Sequence, residues 1–248
     1  MLRAINLVPS LFRFSGEDVI RGRRQFFALI LLTLFILELL LGLRAAGGES
    51  EGLGALLMLG FWVVTGPLCR SWVDEDIRMG YAALWLQKPV HPLEFYFARV
   101  MALVGWALSA ALAVTLAALP GFTLAGSLSE LGGLMVGAGW IPTMLVVLSF
   151  LGSTLGARNG ALFGYATLVA AFALPGLRDS LPMGPAADVL DFLLPPAEAG
   201  LAAIGAVRDG GLIAGIARLT PLMTYTISCV VLALALAVRA PSRLARSV

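Results

Sequence analysis

The chain has 248 residues, of which 59% are apolar or aromatic and only 13% are charged. A soluble globular domain carries about 25% charged residues, so this composition excludes an ordinary soluble globule. It also excludes disorder, collagen and a disulfide scaffold, because the glycines have no three-residue period and there are two Cys. A net charge of +2 is too small to point to nucleic acid. With one His and two Cys, no zinc, haem or iron–sulfur ligand set can be assembled within the chain, and no bound cofactor is expected. Cys69 and Cys229 lie within or at the edge of apolar runs and read as small core hydrophobes.

In chain order, residues 1–25 form a lead-in. Leu2, Ile5, Leu7, Leu11, Phe12 and Phe14 alternate with Arg3 and Arg13, which suits a helix lying in the lipid headgroup plane. Six apolar runs then follow, each near the roughly 20 residues needed to cross a bilayer: Phe26–Leu43, Leu53–Cys69, Val100–Leu119, Leu131–Leu155, Gly160–Gly176 and Leu219–Val238. Lipid offers no water to backbone groups, and the period-two alternation of a membrane barrel is absent, so each run is predicted to be a helix. The expected fold is a single all-α, polytopic domain. The first run is 18 residues long and starts only after residue 25, so it reads as a retained anchor rather than a signal peptide.

Charge orients the spans. The arm, the connection Arg70–Arg99, Arg158 and the C-terminal tail hold 13 of the 17 basic residues, all on one side. The other side has Arg44, Arg178, Arg208 and Arg218 against eight acids, among them Asp188, Asp191 and Glu198. Positive loops stay in the cytoplasm. Both termini are therefore expected inside a cytoplasmic (inner) membrane, with lipid as a partner throughout. The fifth connection, residues 177–218, is long for an unstructured loop. Ala197–Val207 and Gly211–Ala217 are predicted as short helices resting at the outer face, with a re-entrant hairpin as the alternative.

The connection of residues 70–99 is the most informative segment. Ile77, Tyr81, Leu84 and Trp85 share one helical stripe. Asp74, Glu75 and Asp76 sit at its start, where the helix dipole favours negative charge, and Pro89 and Pro92 end it. The stripe is too apolar for a solvated loop. By pattern alone it either lies on headgroups or docks a soluble partner.

Asp76, Gly80 four residues on and Pro89 nine further, set between two apolar runs, resemble the segment after the second span in membrane subunits of the ABC-2 type transporter family. Tyr81 replaces the small hydroxyl residue more usual after that glycine. Six spans, a basic amphipathic arm and a helical outer connection resemble the same family, which extends the likeness over nearly the whole chain. The resemblance implies that residues Asp74 to Pro89 form the coupling region, with Asp76 through Trp85 the surface that meets a separate ABC ATP-binding subunit. It further implies ATP and Mg on that partner, and a second permease copy or a homologous permease alongside. A haem-exporter-type subunit of cytochrome c maturation shares the acid–Gly–Pro spacing and a proline comparable to Pro142, but its outer connection is shorter. An anchoring subunit without transport is the other alternative.

The chain itself is not expected to be an enzyme. A phosphate-cradling Walker A loop needs Gly-Lys-Ser/Thr, and the only lysine, Lys88, stands between Gln87 and Pro89. The lone His91 lies outside the spans and reads as solvated surface, which leaves hydrolase or metal chemistry without partners. Glu38 is the one ionisable residue well inside a run. Its cost of roughly +2.5 to +3.5 kcal/mol at a helix centre is offset by many Leu, Ile and Phe at about −0.3 to −0.6 each. It reads either as a structural acid near the outer interface or as part of a transport path. Gly133 and Gly137, and Gly160 and Gly164, are spaced for close helix packing.

Overall fold

The computed structural model describes residues 91–124, 128–157, 159–180 and 184–244. These form six helices, α1 (Pro92–Leu124), α2 (Leu128–Thr154), α3 (Gly160–Ser180), α4 (Pro185–Leu193), α5 (Ala197–Arg218) and α6 (Thr220–Leu244), with no strand among them. The basic arm, the first two apolar runs, Glu38, and Asp74, Glu75, Asp76, Ile77, Gly80, Tyr81, Leu84, Trp85 and Pro89 lie outside the described residues.

Local chemistry sets the helix ends. At α1 the ring Nδ1 of His91 accepts the N–H of Leu93 at 3.3 Å, and Pro92 takes the first helical position, where its missing N–H costs nothing. His91 is exposed, as its reading as solvated surface expects, and it also caps the helix. α1 spans 33 residues, about 50 Å. It begins well before Val100, because the polar and aromatic stretch Glu94–Arg99 lowers the hydropathy without breaking the helix. α2 ends in a Schellman turn, with Ala157 N donating to the Gly152 carbonyl at 2.9 Å and Gly156 N to Ser153 at 3.2 Å. Asn159 then caps α3, its Oδ1 accepting from Leu162 N at 3.2 Å.

α2 is the axis of the bundle. α1, α3, α5 and α6 all pack on it, and its side chains from Ile141 to Leu151 are buried apart from the half-buried Thr143. A helix covered on every side must be apolar all round, as this one is. Phe150, Met144, Leu145 and Leu148 are its largest fully buried side chains. Near its end Phe150 meets Tyr96 of α1 at 6.1 Å between ring centroids, and Tyr96 meets Phe95 edge-on at 5.3 Å.

Polarity on the outside is inverted. α1 exposes Met101, Leu108, Leu112 and Leu116 on one helical stripe, α3 exposes Leu162 and Val169, and α6 exposes Met223, Ile227 and Val231. Among the described residues, two stretches are long and apolar enough to cross a membrane, Leu131–Thr154 and Asp209–Arg239. The first is 81% buried, as the core helix of a soluble protein also is, whereas the second is only 28% buried.

α5 is two legs rather than one rod. At Gly211 the backbone takes φ 81° and ψ 178°, outside the helical region, a conformation that a side chain disfavours and glycine accepts. The chain folds back there, so that Gly215 of the second leg lies against Val207 and Ala203 of the first. The second leg then runs almost straight into α6. Leu219 keeps a helical conformation, its N–H donates to the Ile216 carbonyl at 3.0 Å, and its own carbonyl accepts from Met223 N at 2.9 Å. The last long helix thus starts near Leu212 and not at Leu219. Arg218 and Pro221 look like a boundary in the sequence, but the Ala217 carbonyl that Pro221 cannot serve accepts the Thr220 hydroxyl at 2.8 Å.

Candidate functional site at mid-height of the bundle

Heights along α2 follow from named contacts. On the first leg of α5, Gly200 lies against the ring of Trp140, Ile204 against Gly133 and Val207 against Gly132. The leg is therefore antiparallel to α2 and covers its first half. Continued back, the Leu194–Pro196 link falls beside Pro142–Met144, the middle of the apolar stretch Leu131–Thr154. α6 gives the same height independently. The Thr226 hydroxyl lies 3.9 Å from the Met144 sulfur, and neighbouring Tyr225 donates its phenolic proton to the Leu193 carbonyl at 2.6 Å.

The fifth connection therefore does more than cap the end of the bundle. Its two ends are high, at the end of α3 and at Gly211, and its proline link is at mid-height. The Phe172 ring of α3 meets that of Trp140 at 6.0 Å between centroids, tilted by 34°, which puts α3 at the same level.

α2 carries Pro142 at this point. The ring removes the donor that the Ala138 carbonyl would have used one turn back, and the Thr143 hydroxyl donates to the next carbonyl, Gly139, at 2.8 Å. Trp140 Nε1 and Ser149 Oγ are buried without a hydrogen-bond partner. The buried polar side chains are Thr115, Ser149, Ser153 and Thr154, and among the described residues no charged side chain is buried. Among the described residues no group of three His, Cys, Asp or Glu could hold a metal. Such a centre can pack, bend and slide.

The glycines singled out in the sequence occupy different surfaces. A Cβ on Gly133 would sit 3.0 Å from Ile204 Cγ2 and 3.3 Å from the Ile204 carbonyl oxygen, so Gly133 faces α5. Gly137 is buried on α2. Gly160 lies against the Ser149 carbonyl and Gly164 against Ser149 Oγ and Leu145. That face of α3 is covered by α2 of the same chain.

The residues that sequence reasoning missed are at the link. Asp188, Asp191 and Glu198 read as acids of an outer loop, yet they belong to α4 and α5, are exposed, and flank the mid-height turn. Pro195-Pro196 after a short amphipathic segment signals a turn between helices, but not its depth.

The Tyr225–Leu193 bond ties the link to α6. Tyr225→Phe is expected to cost about 1 kcal/mol, a fall of roughly 2–4 °C in the unfolding midpoint of the detergent-solubilised protein. An unchanged midpoint means that the phenol adds nothing to holding the link.

Comparison with known proteins finds no matching family model, no matching curated protein and no matching solved structure.

Proposed function

We propose that this chain is the membrane-spanning permease subunit of an ATP-driven ABC exporter, moving an apolar or amphiphilic molecule across the cytoplasmic membrane. The observation that carries the reading is the segment Asp76, Gly80 and Pro89 with its Ile77–Trp85 stripe, set between apolar runs and rich in the basic residues of the cytoplasmic side. The apolar exterior of α1, α3 and α6 supports a lipid environment. Among the described residues no charged side chain is buried between the helices, which supports a conduit whose energy comes from elsewhere. ATP is hydrolysed on a separate subunit docked on the segment of residues 74–89. The six spans, both termini inside and pairing with a second permease belong to the same proposal.

Affinity purification from the native membrane tests it. A co-purifying ATPase is expected, and Asp76→Ala and Trp85→Ala are each expected to release most of it while leaving the permease in the membrane. Labelling of the 70–90 segment from outside intact cells, or unchanged ATPase recovery in both variants, overturns the assignment.

A further inference from the structure

The depth of the α4–α5 link has a consequence for solvent. The apolar stretch of α2 is 24 residues long, about 36 Å. Glu198 precedes Gly200 by two residues, and Gly200 is level with Trp140, nine residues into that stretch. On the antiparallel leg its backbone is therefore about 16 Å from the Leu131 end. Leu193 is at mid-height by the Tyr225 contact. Asp191 and Asp188 precede it by two and five residues on α4, so both begin about 10 Å or more inside the stretch whatever the tilt of that helix. All three side chains are exposed. Carboxylates on such short stems cannot reach an interface as a lysine does, and an exposed acid at this depth is not stable against hydrocarbon.

The apolar residues at the same height behave differently. Ile227 of α6, one residue from Thr226 and so level with Met144, is 64% exposed. Its surroundings on α6 are Met223, Val231 and hydroxyls that donate to their own helix, Thr224 to the Thr220 carbonyl at 3.0 Å and Ser228 to Thr224 at 2.9 Å. That face suits lipid. The α4–α5 hairpin differs in exposing Asp188, Asp191 and Glu198 among its apolar Val189, Phe192 and Leu193.

We infer that the α4–α5 hairpin lines a water-filled vestibule that opens on the side where α2 begins and reaches half-way through the bundle, with the Leu193–Pro196 link as its floor. The inference rests on the membrane-spanning reading proposed above. The combined field of the three carboxylates enriches cations over anions inside the vestibule. Phe192, 83% exposed beside Asp191, stands in this water with an apolar ring.

The test uses the full chain, with Cys69→Ala and Cys229→Ala as background, carrying Phe192→Cys, Glu198→Cys or Ile227→Cys. Intact cells are treated from outside with membrane-impermeant methanethiosulfonates, one cationic and one anionic. Phe192→Cys and Glu198→Cys are expected to react fast, while Ile227→Cys reacts only with a membrane-permeant maleimide. At Phe192→Cys the cationic reagent is expected to win by about tenfold, and the combined Asp188→Asn, Asp191→Asn and Glu198→Gln changes should remove most of that preference. If Phe192→Cys and Glu198→Cys resist the impermeant reagents but take the maleimide, the face lies in lipid and the inference fails while the membrane reading stands. If both resist every reagent, another chain covers the face and the inference fails equally. If Ile227→Cys reacts with the impermeant reagents as fast as the other two, the membrane reading itself fails.

Discussion

Gly160→Ala is expected to lower the unfolding midpoint of the detergent-solubilised protein by about 4–10 °C, equivalent to about 2–3 kcal/mol. A methyl group there would press into the Ser149 carbonyl oxygen and against the Ser153 Cβ of α2. A carbonyl cannot rotate away, so α2 and α3 must separate, and every contact along their seam loosens with them. Gly164→Ala is the internal comparison. Its new carbon would meet Ser149 Oγ at 2.7 Å and Leu145 Cδ1 at 3.1 Å, with the Leu145 carbonyl at 3.2 Å. The two nearer atoms can shift, and alanine inside a helix is better than glycine by about 1 kcal/mol. The expected order is a large loss for Gly160→Ala and a small one for Gly164→Ala. Equal losses, or none at Gly160, would contradict the backbone contact between the two helices.

Phe150→Ala is expected to cost about 3 kcal/mol, near the lower end of the range for emptying a buried aromatic site. Phe150 is fully buried on the axis helix and touches the Tyr96 ring of α1. In a lipid environment the transfer part of the usual cost is small, because the unfolded reference is also apolar. The cavity and the lost dispersion contacts remain. Phe150→Leu, which refills most of the volume, should recover more than half of the loss. Chemical or thermal unfolding of the two variants in one detergent checks this. A cost below about 1 kcal/mol for Phe150→Ala means that the site collapses, and that the end of α2 is looser than its burial indicates.

The sequence was most legible where the signal is local. The run Leu131–Leu155 corresponds closely to α2, Leu128–Thr154, because a stretch flanked by Glu130 on one side and Gly156 on the other carries both its hydropathy and its stop. Asn159 and Gly160 likewise mark the start of α3. Boundaries failed where apolarity and helicity part company. α1 continues back through Arg99 and Glu94 to Pro92, and the last long helix begins before Arg218, since a charged residue lowers hydropathy without interrupting backbone hydrogen bonds.

The region of the candidate site divides in the same way. Gly133, Gly160 and Gly164 were readable as close-packing positions from spacing, but spacing does not name the partner. The structure pairs Gly133 with α5 and the other two with α2. The acids at 188, 191 and 198 were readable as charges and were assigned by their neighbours in sequence to an outer loop. Their height depends on Trp140 meeting Gly200 and on Tyr225 meeting Leu193, contacts between residues 60 and 32 positions apart. What the sequence alone determined is the solvent each segment prefers, since transfer free energy is a sum over neighbouring side chains. What tertiary structure decided is depth and pairing, because the height of a link is set by the helices it is packed against and not by its own composition.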